Sequence, residues 1–216
     1  APEILDASAQ AEVARTILSQ PLTISMPEGM SADGAPWAFD ANILASMLDI
    51  RRVNNGGSAA YEIALNNQSL INFLSNLAPQ LAQYPENARF IFNDDTRQLD
   101  LLQSATIGRT LNVEKSLQAI QSAVKSGQHN AVLVFDTTDP AVTDSASAES
   151  LGITELVSSE TSYFYGSSAD RVQNIEAAAS RFHGLLVPPN STFSMADALG
   201  NISLDNGYAE ALIIVG

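Results

Sequence analysis

The sequence predicts an α+β fold: a mixed sheet with packed helices over the N-terminal part, then a partial α+β segment at the C-terminal end. Three observations lead there. Apolar residues recur at helical spacing in several stretches, including residues 9–18, 70–81, 113–124 and 172–182. Short alternating or continuous apolar runs, bounded by Gly, Pro and Asn, read as strands. The two types interleave irregularly and include one hairpin pattern, which fits α+β better than a doubly wound sheet.

Residues 6–19 read as the first helix, with Asp6 as N-cap and Ala9, Val13, Ile17, Ala14 and Leu18 on one stripe. Pro21 stops it, and Leu22, Ile24 and Met26 alternate as a half-buried strand. Residues 27–36 are a loop. After Trp37 and Phe39, Asp40 caps a short helix that turns Ile43, Leu44, Met47 and Leu48 inward. Residues 51–58 carry Asn54, Asn55, Gly56 and Gly57 and read as a turn before a strand with Tyr61, Ile63 and Leu65.

Asn67 is the expected cap of the next helix, and Pro79 is expected to kink or bound it. Residues 89–92 and 98–102 form a hairpin around the turn at 93–97. Asn112 caps a helix with Val113, Leu117, Ile120 and Val124 inward, and Gly127 supplies its left-handed end. Residues 131–135 read as a nearly continuous, central strand. The stretches 6–26 and 112–135 share a helix, stop, strand plan, a weak internal repeat.

Residues 136–150 are rich in Thr, Asp, Ser, Ala and Pro and mark the boundary, with a helical turn expected within 144–151. The expected division is therefore a domain over 1–138, a linker over 139–152 and a second segment over 153–216. In that segment 152–157 and 162–165 look extended. Asp170 opens a helix ended by Gly184, and Asn190 sits in a turn after Pro188-Pro189. Residues 208–215 form an apolar strand expected to pair within the chain or across a dimer, so a homo-oligomer is one expectation.

At 216 residues and 45% hydrophobic, the chain can bury a substantial core. Its 24 acidic and 10 basic residues, for a net charge of −14, argue against nucleic acid, whose binding needs Lys and Arg on phosphates. No apolar run approaches the roughly 20 residues of a membrane helix. The absence of cysteine excludes a thiol nucleophile, Cys-ligated metal and disulfides. The start at Ala1, with neither initiator Met nor signal pattern, suggests a fragment cut downstream of any signal or anchor.

The C-terminal segment resembles the VanW-like domain of bacterial cell-envelope proteins, named after a vancomycin-resistance accessory protein. The resemblance rests on an ordered series: Asn174-Ile175, the Ala-rich 177–179, Gly184 with the apolar 185–187, Phe193-Ser194, Leu199-Gly200 and Gly207-Tyr208. Two departures stand out. Pro188-Pro189-Asn190 replaces the usual turn glycine, with Asn190 able to take the left-handed conformation. The family also continues into a Gly-rich segment with a Cys, absent here, so the domain is expected to be partial. Residues 22–135 resemble the module that commonly precedes VanW-like domains, to which peptidoglycan binding is attributed. That resemblance rests on Trp37-Ala38-Phe39 and on the run Ile107-Gly108-Arg109-Thr110-Leu111-Asn112.

Catalytic and metal sites are not read from the residues. His129 and His183, the two histidines, each follow a helix end, where the helix dipole favours them. No HExxH or comparable ligand spacing occurs, and no G-x-S-x-G turn. Asp94-Asp95 belongs to a turn for backbone reasons. No metal and no cofactor are expected.

Four residues are candidate ligand contacts. Arg109 either clamps a carboxylate or forms an ion pair that fastens the following helix to an acidic neighbour. Trp37 either stacks on a sugar ring or anchors the core. Tyr163 and Tyr165 share one face of an extended segment and offer either a saccharide platform or inter-domain packing.

The expectation is a non-enzymatic, extracytoplasmic protein of the bacterial cell envelope, binding peptidoglycan or another wall component. The alternatives are a cell-wall enzyme whose catalytic part lies past Gly216, and a protein-interaction scaffold.

Overall fold

The computed structural model describes residues 7–55, 58–187 and 190–211. In chain order the first elements are α1 (Ser8–Leu18), β1 (Leu22–Ser25), β2 (Trp37–Phe39), α2 (Ala41–Met47), β3 (Leu48–Asn55), β4 (Ser58–Leu65) and α3 (Asn67–Leu81). There follow β5 (Arg89–Asn93), β6 (Gln98–Gln103), β7 (Gly108–Leu111), α4 (Val113–Lys125), β8 (Asn130–Val132) and β9 (Phe135–Thr138). The last are α5 (Ala148–Leu151), α6 (Ala169–Phe182), α7 (Met195–Leu199) and a 3-10 turn at Leu204–Asn206. Helices and small mixed sheets together make an α+β protein.

The chain groups into two compact units, and they do not follow sequence order. One comprises residues 1–84 and 108–138, the other residues 85–107 and 139–216. The hairpin β5–β6 thus groups with the C-terminal part rather than with the 1–138 domain expected from composition. The stretch 139–152, expected as a linker, supplies packing instead. Val142 is buried with Ala88 and Phe90, and its carbonyl accepts from the Ala88 amide at 2.9 Å. Composition misleads here because the polar stretch buries Val142 and Ala148 and is bonded at both Val142 and Asp144 to residues 87, 88 and 105.

In the first unit, β1 lies between β2, antiparallel, and β8, parallel. The two helix–strand stretches noted in the sequence therefore end in neighbouring strands. Leu22 and Ile24 of β1 point into a core shared with Leu44, Leu70, Leu74, Ile120 and Leu133. Side-chain caps set the helix starts as their residue types require. Asp40 accepts from the Asn42 and Ile43 amides, both at 2.9 Å, and Asn112 from the Lys115 amide at 2.8 Å.

Several local expectations are corrected. Asn66, not Asn67, caps α3, accepting from the Ser69 amide at 3.0 Å. Pro79 lies in the last turn of α3, which ends at Leu81, so the boundary expected near it is there; Leu77 before it and Leu81 beyond it are both buried. Residues 51–55 are strand rather than turn, since the register of β3 with β4 runs to Asn55↔Ser58. Gly56 and Gly57 lie outside the described residues, as do Asp6 and Pro188-Pro189. Ile43 is exposed rather than inward.

The expected central strand at 131–135 is split in two. Ser116, fully buried on α4, receives the Val134 amide on its hydroxyl at 2.9 Å and donates to the Val134 carbonyl at 3.3 Å. That hydroxyl replaces a strand partner, so β8 pairs with β1 and β9 with β7.

In the second unit, the β5–β6 turn is held by Asn93, whose side chain accepts from the Asp95 and Thr96 amides at 3.1 Å. Residues 152–157, 162–165 and 185–187 form no strand. Of the expected strand at 208–215, residues 212–215 lie outside the described residues. Asn190 adopts φ 60°, the left-handed conformation expected of it.

Candidate functional site

A groove of about 830 Å³ in the first unit is lined by α1, β3, β4, α3 and α4. That volume falls in the range of ligand sites, about 300–1,000 Å³. Its walls are apolar at Val13, Ile17, Ile63 and Val124. Side-chain amides border it: Gln10 donates to the Tyr61 carbonyl at 3.2 Å, and Gln121 donates to the Asn67 side chain at 2.6 Å.

Three charged side chains line the groove. Arg51 pairs with Asp49 at 2.6 Å. Glu62 and Lys125 have no ion-pair partner among the described residues. Six consecutive residues of β4, 60–65, line the groove. A strand presents successive side chains to opposite faces, so a run without gaps means that its main-chain edge borders the space. Among the described residues β4 pairs with β3 alone, which leaves that edge open. A strand is legible in Tyr61, Ile63 and Leu65, but its position at an edge is not.

None of the four residues singled out from sequence lines this groove. Trp37 sits on β2, half-buried, with its ring edge-on to Phe73 at 6.2 Å; Phe39 packs on the same ring at 5.0 Å. Its indole belongs to an aromatic cluster on the core.

Arg109 sits on β7, with its backbone exchanging hydrogen bonds with Gln83 at 2.8 and 2.9 Å. Its guanidinium carbon lies 5.9 Å from the Phe135 ring centre, a cation–π contact. Its Nε is buried without a hydrogen-bond partner. The ion pair expected of Arg109 is absent among the described residues. Lys115 of α4 makes one nearby instead. Its Nζ lies 3.2 Å from Asp136, and the Asn112 side chain donates to the same carboxylate at 2.7 Å. The Lys115 bond first, then the Asn112 bond, hold the Asp136 carboxyl below its ordinary pKa.

Tyr163 and Tyr165 are brought together, as their spacing implied. Their rings stack 5.7 Å apart at 10°, and they are 74% and 90% exposed. This pair covers no core.

The histidines have structural partners. His129 Nε2 lies 3.0 Å from the Thr16 carbonyl at the end of α1. His183 is the C-cap of α6, and its carbonyl, with those of Ser180 and Arg181, accepts from Arg89.

The motif residues of the C-terminal segment have a legible task. Asn174 on α6 donates to the Ala209 carbonyl at 2.9 Å and accepts the Ala209 amide at 2.7 Å, a two-point imitation of strand pairing. Gln173 donates to the Gly207 carbonyl at 2.9 Å, and Tyr208 between them is buried. Gly184 adopts φ 70° where a Cβ would lie 2.7 Å from Leu102 and 3.1 Å from the Phe90 carbonyl.

Residues 170–216 match the family described as "VanW like protein". Residues 38–132 match the family described as "Putative peptidoglycan binding domain". Both resemblances seen in the sequence therefore stand, and together they indicate a cell-wall-associated protein. No curated protein matches the chain.

Two solved structures resemble part of it. One is the avibactam carbamoyl form of the enzyme Ldtfm, at 14% identity and TM-score 0.36, covering 64% of this chain and 47% of that one. The other is a mutant L,D-transpeptidase of Enterococcus faecium, at 14% identity and TM-score 0.35, covering 62% and 47%. The chain thus spans about half the length of either structure.

Proposed function

We propose that this chain, a VanW-like segment joined to a domain of the peptidoglycan-binding type, is a non-enzymatic wall-binding module of the bacterial cell envelope, acting outside the membrane. The observation that carries this reading is the match over residues 38–132, within which much of the groove lining falls. The open groove adds a ligand-sized space with amides and both signs of charge.

The exposed Tyr163–Tyr165 stack presents ring faces of the kind sugars pack against, and we assign it the role of glycan contact. Trp37 and Arg109 hold partly buried positions, so their part in wall binding is to support the module's shape. Among the described residues no helix is long and apolar enough to cross a membrane.

Sedimentation of the chain with insoluble peptidoglycan tests this. Retention is expected at low and moderate salt, reduced by Tyr163→Ala with Tyr165→Ala, and little altered by Trp37→Ala or Arg109→Ala variants that remain folded. A chain left wholly in the supernatant at low salt would overturn the reading. Turnover of wall fragments would replace a binding role by a catalytic one.

A further inference from the structure

The edge of β4 that no strand among the described residues pairs with, and the groove it borders, carry a ligand assignment more specific than wall binding. Backbone N–H and C=O groups at a strand edge are strong hydrogen-bonding groups, and an unpaired edge is a template for another extended chain. Gln10 already caps one such group, the Tyr61 carbonyl, from across the groove. Peptide recognition by strand addition uses this arrangement: main-chain bonds give affinity, and pockets beside the strand receive side chains.

Charge narrows the choice of peptide. The chain carries −14 overall, which repels polyanions, yet the groove contains Lys125 and Glu62, both without ion-pair partners among the described residues. A cation and an anion in one groove suit a ligand with a carboxylate and an amine. The apolar lining at Val13, Ile63 and Val124 suits small aliphatic side chains. Glycan has neither an extended peptide backbone to pair with the edge nor a free amine for Glu62.

We infer that this groove binds a short extended peptide bearing a free carboxylate and a free amine, docked along the β4 edge with its carboxylate at Lys125. This rests on the wall-binding reading for the source of the peptide, the short peptide stems of peptidoglycan. The docking geometry itself comes from β4, α1 and α4.

The test is titration of the isotopically labelled full chain with a synthetic wall stem tetrapeptide, followed by backbone amide NMR. Two further probes are its C-terminal carboxamide and peptide-free glycan strands. Amide shifts are expected along residues 60–65 and at Lys125, and not with glycan strands. The carboxamide, or Lys125→Ala, is expected to raise Kd roughly three- to fivefold, the scale of one partly exposed charge pair. Val13→Arg, at a site already 45% exposed, fills the groove without opening the core and is expected to abolish the shifts.

Tetrapeptide shifts that map elsewhere, that survive Val13→Arg, or that fail to appear at millimolar peptide would overturn the assignment. Sedimentation of the same variants keeps the two ideas apart. If Val13→Arg is retained on peptidoglycan as well as the parent chain, the groove assignment fails while wall binding stands. If the peptide titrates into the groove but the chain ignores insoluble peptidoglycan, the assignment stands and the wall reading fails.

Discussion

Each of the two units is stabilised from within, and by different physics. In the first, fifteen buried apolar side chains from Ile17 to Leu133 form one continuous core, and helices α3 and α4 each bury a face. In the second, the buried cluster is Ala88, Phe90 and Val142, and α6 buries no residue fully. What the second unit has instead is side chains bonded to main chain across long stretches of sequence. Asn87 takes the Val142 amide, Asp144 the Ala105 amide, Arg89 the carbonyls ending α6, and Asn174 both polar groups of Ala209. Burial is non-directional and tolerates some change of shape, whereas such clamps specify geometry and fail singly.

The largest effect is expected where burial dominates. Leu74→Ala, at a fully buried position, is expected to cost about 3–5 kcal/mol. Urea unfolding followed by fluorescence of Trp37, the single tryptophan, reads that unit directly. A cost no greater than that of a clamp variant would erase the contrast.

Gly184→Ala comes next, at about 2–4 kcal/mol, because left-handed backbone and a crowded Cβ add together. Hydrogen exchange in β5 and β6 should accelerate, since the intruding methyl would meet Leu102 and the Phe90 carbonyl. Unchanged exchange there would mean the close approach is relieved at no cost.

Asn174→Ala is expected to cost about 1–2 kcal/mol, the loss of two main-chain bonds. The Ala209 amide is the reporter: its protection should fall while that of the first unit's core amides does not. Protection that persists would show that Tyr208 burial, not the clamp, holds this segment.

The smallest effect belongs to Asp136 and Lys115, which are 54% and 59% exposed. The folded carboxyl titrates below its ordinary value of 3.8, so its stabilising contribution is complete above that value. It disappears as pH falls through the lowered one. Comparing the urea midpoints of the parent and Asp136→Asn should show a small difference at neutral pH that closes once the pH falls below the carboxyl's lowered pKa. A difference that persists in acid would assign the effect to something other than ionisation.

Some of this was legible in advance because its causes are local. Asp40 and Asn112 cap their helices, Gly127 and Gly184 take positive φ, and residues 89–103 form a hairpin around an Asn-led turn. Each depends on residues within a few positions of one another. Tyr163 and Tyr165, two positions apart, likewise share one face, as their spacing predicts. Where two residues of the same type compete, as Asn66 and Asn67 do at α3, local chemistry does not choose. The choice falls to Asn67's bond with Gln121, more than fifty positions away.

Composition and periodicity thus account for the α+β class, most helix spans and the caps at Asp40 and Asn112, because propensity and capping act over one or two turns. Three things came from long-range packing. Ser116 cuts a single apolar run into two strands, β5–β6 groups with the distant residues 139–216, and among the described residues β4 is left with an unpaired edge beside a groove. A strand's partner, or lack of one, depends on which remote segment reaches its hydrogen-bonding edge first, and no window of neighbouring residues contains that information.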